Sequence, residues 1–377
     1  MRDKVTLKPG ILSWAIEESQ VDLSALLERY PKLGLWLSNE DTPSFSQLKQ
    51  LSTYLKIPFG YMFLSSPPQE PKLVREFRTI GNARFSRISK DLKDTLTNMQ
   101  AISTWMHEYR HFDLGTERLS FVGYYRNEER VRGLTAAFLD ILGLKDGFST
   151  AYRSPELLLR ALKAHMENVG VLVFSNSMVG LNSHRLLNPE EFRAFCLIDE
   201  FAPIIFINGK DSKYGKVFSI VHEFLHVLRG ETGATFDGRD ETLCNIATIN
   251  LLVPADLLSR KITRLIKDVA AVTAIAKHFN VSALALAYVL HKQNLISQKL
   301  VDEVMETTRL NIDAKNGSMA QSGPDFHIVF DANNSIFFRK ALANQLTSGN
   351  ASYAEAARLM GVSSPDTVSE ILARAMK

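Results

Sequence analysis

The stretch KVFSIVHEFLHVLRG, residues 216–230, decides how the rest of the chain is read. Val217, Ile220, Val221, Phe224 and Leu228 recur at helical spacing and give one apolar face to a helix expected from Ser212 to Leu228. His222, Glu223 and His226 ride on that helix as H-E-x-x-H. Residues four apart on a helix stand about 6 Å from each other on one face. Two imidazoles so placed can converge on one metal ion, while the glutamate beside the first reaches toward a water molecule there, a geometry suited to zinc hydrolysis. Burying two imidazoles and a carboxylate beside an apolar core is costly without a compensating partner.

The alternative is an ordinary helix that happens to carry two histidines, and the chain illustrates the risk. MHEYRHF places His107, Glu108 and His111 at the same spacing. There the flanks are polar and the helical pattern stops at once in FDLG. Histidines in a last helical turn are favoured by the macrodipole without any metal. The copy at 222–226 is therefore the candidate site.

Two histidines need a third ligand, best supplied by a neighbouring helix. DETLCNIATINLLVP offers Glu241, fifteen residues beyond His226, and the intervening RGETGATFDGR has three glycines suited to a reversal between antiparallel helices. Asp237 and Asp240 fall in the loop or at the helix start, where an acidic side chain ordinarily caps. Asn245 lies one turn beyond Glu241 on the same face and can orient it. Cys244 reads as a buried, inert thiol.

Outward from this centre, GVLVFS, FRAFCLI and PIIFIN, between Gly170 and Asn208, are β-branched and aromatic runs of strand length. Helical patterns precede them at Ser89–His111, Glu128–Leu144 and Pro155–Asn168, and follow at Glu241–Leu252, Asp256–Leu265, Val269–Phe279 and Ser282–Leu295. The polar stretch NIDAKNGSMAQSGPDF then separates a last unit with helices at Phe337–Thr347 and Ser352–Met360. At the other end, residues 1–64 read as short helices over Ile11–Glu18, Leu23–Arg29 and Phe45–Leu55. SSPPQEPKLVREFR, with three prolines in five residues, follows as an extended linker. Seven basic residues between Lys72 and Lys93 make this the clearest basic run, either a solvated hinge or a phosphate- or partner-docking segment. The expected fold class is α+β, mainly α with a small β-sheet. The expected divisions are a helical unit at 1–70, a basic linker and helical connecting region at 71–165, the H-E-x-x-H domain at 166–310 and a C-terminal extension at 311–377.

Composition narrows the function. The 377 residues are 45% hydrophobic, and 44 Lys and Arg against 41 Asp and Glu leave a net charge of +3. That is far from the positive field of a chain built mainly to hold nucleic acid. The two cysteines, Cys196 and Cys244, cannot form a disulfide framework, and residues 1–10 hold no apolar leader. The dense apolar run near Phe201–Asn208 falls well short of the ~20 residues a spanning helix needs. These features lead us to expect a cytoplasmic protein with no membrane role, and they set no oligomeric state.

HRLLNPEEFRAFCLIDEFAPIIFING, KVFSIVHEFLHVLRG and ETLCNIATINLLVPADLL together resemble the ImmA/IrrE family of zinc metallopeptidases, of the gluzincin type with two histidines and a downstream glutamate. The family's E-x-x-x-N-x-x-A-x-x-x-L-x-P pattern is met at Glu241, Asn245, Leu252 and Pro254, with Ala247 one place short. LWLSNEDTPSFSQLKQLSTYLKIPFGYMFLSSPP is similar to the latter half of an XRE-type helix-turn-helix module, and the tail is similar to a C-terminal extension of the same subgroup.

The resemblance implies a zincin-like peptidase domain in which His222, His226 and Glu241 hold Zn2+ and Glu223 acts as general base. It also implies a narrow protein substrate, a helix-turn-helix repressor or antitoxin, in stress response, mobile-element transfer or phage control. The other readings are a DNA-binding regulator with a structural or sensing metal, and a proteolytic toxin of a toxin–antitoxin pair. His327, in the turn-rich GPDFHIV, is the candidate donor to a developing oxyanion, at a position resembling one the family gives to tyrosine; an exposed loop histidine is its other reading. His184 and Arg185 stand open between strand-edge packing and a substrate carboxylate contact.

Residues 1–70 are the candidate DNA contact, and their electrostatics are poor. Lys32 is the only basic residue in YPKLGLWLSNEDTP, where Glu40 and Asp41 would oppose phosphates. Residues 1–80 balance ten Lys or Arg against nine Asp or Glu. Dimerisation, partner docking or covering of the cleft are the alternatives for this module.

Overall fold

The computed structural model describes residues 4–5, 7–8, 10–69, 88–231, 238–262, 265–316, 326–362 and 364–376, without the side chains of 238–239, 311–316 and 326–329. The chain divides into two compact units, Met1–Thr97 and Asn98–Lys377. As the patterning led us to expect, it is mainly helical with one small sheet.

In the first unit, α1 (Ile11–Ser19), α2 (Leu23–Arg29), α3 (Leu33–Leu37) and α4 (Phe45–Tyr54) enclose Leu12, Ala15, Leu26, Leu33, Trp36, Leu48, Leu51 and Leu55. Local chemistry starts two of them. The Asp22 carboxylate accepts from the Ser24 amide, and Ser44 and Gln47 form a reciprocal capping box. Helix α3, five residues long, was absent from the sequence reading. Lys32, just before it, lies 3.5 Å from Asp41, whose carboxylate also takes Lys4 at 2.6 Å. Of the basic run, Lys72, Arg75, Arg78, Arg84 and Arg87 lie outside the described residues. Lys90 pairs with Asp94 at 2.5 Å, and Lys93 with Glu18 at 2.8 Å.

Helix α5 (Lys90–Glu108) passes into a π turn over Tyr109–Asp113. Next come α6 (Val131–Ile141) and α7 (Pro155–Asn168), the latter with Ser154 as N-cap and a proline in its first turn. Strands β1 (Leu172–Asn176), β2 (Ala194–Leu197) and β3 (Ile204–Asn208) form a sheet in the order β1-β3-β2. β1 lies parallel to β3, with Leu172 opposite Ile204, and β2 lies antiparallel, with Phe195 opposite Phe206. Every residue of β3 is buried, as a central strand covered on both faces requires. Helix α8 (Lys213–Arg229) packs on β2 and β3, and α7, α6 and α9 (Gly238–Leu252) pack on α8. Phe224, fully buried on α8, sits 6.0 Å from Phe121 and 5.5 Å from Phe138 between ring centres. This helix-on-sheet core holds the H-E-x-x-H residues in place.

Beyond it run α10 (Ala255–Lys261), α11 (Val269–His278), α12 (Ala283–Lys292), α13 (Gln298–Asn316), α14 (Phe326–Asn333), α15 (Ile336–Thr347), α16 (Tyr353–Met360) and α17 (Pro365–Ala375). Helix α13 takes in NIDAKN, which polarity alone marked as a separator. Its Leu300, Val301 and Val304 bury one stripe, and Gln298–Asp302 bonds along its exposed face. Helices α14 and α17 also went unseen in the sequence. The pattern at Asp256–Leu265 stops at Lys261, and that at Glu128–Leu144 begins only at Val131, because the Glu128 side chain folds back to accept from the Arg130 amide. The C-terminal helices are tied to α7: Glu167 accepts from Ser335 Oγ at 3.0 Å and the Phe337 amide at 3.2 Å, at the start of α15. Among the described residues no single helix is long and apolar enough to cross a membrane.

Candidate metal centre

Helix α8 is bounded by local chemistry. Ser212 Oγ accepts from the Gly215 amide at 2.9 Å, and Gly230 leaves the helix with φ 69°, a conformation open to glycine. Between these ends Val217, Ile220, Val221, Phe224, Leu225, Val227 and Leu228 are all buried. The residues on the same helix that carry the chemistry are buried too, with His222 8%, Glu223 7% and His226 4% exposed.

The two imidazoles face each other, with Nε2 to Nε2 at 3.0 Å. Glu241 arrives from the first turn of α9, its Oε2 3.3 Å from His222 Nε2 and 3.4 Å from His226 Nε2. Asn245, one turn further along, donates from Nδ2 to Glu241 Oε1 at 3.1 Å and leaves the other oxygen for the histidines. Among the described residues, this is the one group of three or more His, Cys, Asp or Glu whose ligand atoms come together.

The donor set suits a metal ion. Bonds of ~2.0–2.1 Å to a tetrahedral zinc put neighbouring donor atoms ~3.3–3.4 Å apart. The three separations found here, 3.0, 3.3 and 3.4 Å, fit that edge length. Glu241 Oε2 and Glu223 Oε2 are buried with no hydrogen-bond partner among the described residues, which is costly unless a cation or a substrate group completes them. The electrostatics agree. Burial works to raise the Glu241 carboxyl, yet the His222 and His226 imidazoles outweigh it and hold the group well below the usual carboxylate range. Burial works to lower the His226 imidazole, and the carboxylates of Glu241, Glu223 and Glu231 together push it up instead. The pocket is thus poised to hold positive charge.

Other expected residues fall elsewhere. Asp240 is taken up by Arg229 at 2.6 Å, and Asp237 lies outside the described residues. Burial pushes the Cys244 thiol up to about 12, which leaves it a poor ligand and nucleophile. His327 falls within α14 rather than in a turn, and its side chain lies outside the described residues. His184 is exposed in a turn after β1, bracketed by the Met178–Leu186 bridge, and its amide donates to Asn182. The first H-E-x-x-H copy is taken apart by its backbone. Glu108 ends α5, His111 falls in the π turn, His107 Nδ1 lies 2.8 Å from Asp199, and both rings pack on Phe201.

Arg229 joins the surroundings of the site without any motif that marks it. It is 4% exposed, and its fork reaches Asp240, the Glu128 carbonyl at 2.8 Å and, at 3.5 Å, Glu231. An arginine ahead of a helix-ending glycine gives no sign of burial, so no sequence signal marked it.

Residues 166–291 match the family model described as the IrrE N-terminal-like domain, Peptidase_M78. The match begins at the end of α7, runs through the sheet, α8 and α9, and ends in α12, so it contains His222, Glu223, His226 and Glu241. No curated protein matches the chain. Over those residues the chain is similar to a peptidase domain of the IrrE/ImmA kind.

Proposed function

From a Peptidase_M78 domain built around this His–His–Glu cluster, we propose that the protein is a zinc-dependent endopeptidase that cuts a specific protein partner. The observation that carries the reading is the convergence of three donor atoms within 3.4 Å of one another, two from the helix that also carries Glu223 and one from α9.

His222, His226 and Glu241 would hold the ion. When bound, zinc supplies Lewis acidity and brings the ionisation of water down to about pH 7. Glu223, adjacent to His222 and unpartnered at Oε2, takes the proton of the attacking water and delivers it to the leaving amine. Asn245 keeps the Glu241 carboxylate turned toward the histidines. The apolar bed under α8 fixes the two imidazole rotamers and keeps bulk water from that side.

The resemblance to ImmA/IrrE proteins supports a helix-turn-helix repressor or antitoxin as substrate. DNA contact through residues 1–70 draws no support from Lys32, which lies within ion-pair reach of Asp41. The test uses purified full-length chain, loaded with zinc, against helix-turn-helix repressors encoded beside it. Cleavage is expected with zinc and lost with a chelator. Glu223→Gln is expected to keep zinc and lower the rate by about 10²–10⁴-fold, the usual contribution of a general base. Full activity in that variant removes Glu223 from the role.

A further inference from the structure

Glu241 sits in the first turn of α9, the part of a helix whose amides lack intrahelical partners and which frays most readily. Its hold on the histidines depends on where that turn is placed. Besides the Glu241–histidine contacts themselves, Arg229 supplies a polar link between the end of α8 and the start of α9. This residue closes α8, three residues beyond His226, and is 4% exposed. Nη2 donates to Asp240 Oδ1 at 2.6 Å, and Asp240 is the residue directly before Glu241. Nη1 donates to the Glu128 carbonyl at 2.8 Å, and Nε lies 3.5 Å from Glu231 Oε2. A planar guanidinium held by two hydrogen bonds, with a carboxylate in ion-pair range on its third side, cannot swing without breaking one of those bonds.

The end of α8 that carries this fork is itself pinned. The Gly123 amide donates to Val227 O at 3.1 Å and the Tyr125 amide to Leu228 O at 2.9 Å. A Cβ at Gly230 would come within 2.7 Å of Gly123 Cα, so the two backbones touch there. The fork therefore transmits a fixed position to Asp240, not a floating one.

We propose that Arg229 is the positioning residue of the metal centre: by bridging Glu128, Glu231 and Asp240 it sets the start of α9 at the place from which Glu241 reaches both imidazoles. The inference rests on the metal-site reading above. It opposes the plain electrostatic expectation in sign. Arg229 is a cation close to a cation site, so on charge alone its removal tightens metal binding. If it positions Glu241, its removal weakens binding.

The experiment measures zinc affinity of metal-free full-length protein by competition with a chromophoric chelator, and the visible absorption of the cobalt-substituted forms as a signature of the ligand set. Circular dichroism and thermal melting report the fold. Arg229→Met is expected to weaken zinc about 10–100-fold, the range for residues that orient a ligand. Its cobalt spectrum should move toward that of Glu241→Gln, and combining the two substitutions should weaken zinc little beyond Glu241→Gln alone. Arg229→Lys, which keeps the charge but not the three-way fork, should fall between wild type and Arg229→Met. If Arg229→Met does not fold, Arg229→Lys and Asp240→Asn decide by the same two readouts. Folded Arg229 variants that bind zinc as tightly as wild type or more tightly, with an unchanged cobalt spectrum, overturn the proposal and leave the metal site standing. Wild-type protein that binds no zinc, or Glu241→Gln that binds it undiminished, overturns the metal reading and this inference with it.

Discussion

The chain carries H-E-x-x-H twice, and the two copies have opposite fates. At 222–226 the helix continues for three further residues, the ring centres stand 4.7 Å apart, and a carboxylate from another helix closes the triangle. At 107–111 the α-helix ends inside the motif, the ring centres stand 6.0 Å apart, and the nearby acid, Asp199, pairs with His107 while also accepting the amides of Phe201 and Ala202. Identical spacing therefore yields a cluster that could hold a metal ion in one place and a packed helix end in the other. The difference lies in two things the motif does not contain: unbroken α geometry across all five residues, and a third donor brought in from elsewhere.

That contrast can be broken at its strongest point by metal analysis. His222→Ala or His226→Ala should abolish stoichiometric zinc in the purified chain, whereas His107→Ala should leave it intact; the reverse result would transfer the site to the first copy. Next in size is the bed under the working copy. Phe224→Ala should cost about 3–5 kcal/mol in denaturant unfolding, the range for deleting a buried aromatic. Phe112→Ala, in the π turn where the ring is 73% exposed, should stay within about 0.5 kcal/mol, and equal losses at both would deny the difference in burial. Asn245→Ala should lower zinc affinity about 10–100-fold, measured by chelator competition, because the Glu241 carboxylate is then free to turn away. Smallest is the bond that occupies the other copy: losing the His107–Asp199 contact through His107→Ala should lower the melting midpoint by about 2–4 °C with zinc content unchanged.

Much of the centre was legible before any coordinates. Ser212 and Gly230 mark the ends of α8, its apolar period marks the buried face, and Glu241 with Asn245 at i+4 follows the geometry of a helix surface. The strands were readable for the same kind of reason, since fully buried β3 is a continuous apolar run. What escaped was set by packing against partners distant in sequence. Helix α13 had no helical reading over residues 298–310, where only a narrow stripe, Leu300, Val301 and Val304, meets the core, and its end at NIDAKN read as a polar separator. Helices α14 and α17 were missed for want of a long period, although Pro365 at the start of α17 and the stripe Val368, Ile371, Leu372 and Ala375 fit a helix once seen.

The sequence by itself pointed to His222, His226 and Glu241 and to the helix that carries the two histidines, because these follow from local periodicity and spacing along a helix. Tertiary structure alone decided that His111 falls in a π turn, that Asp240 is held by Arg229, and that Arg229 is buried at all. The last two outcomes depend on where α9 and the segment before α6 come to rest against α8. Such placements are fixed by side chains many residues apart closing on one another, and no local pattern of residues encodes them.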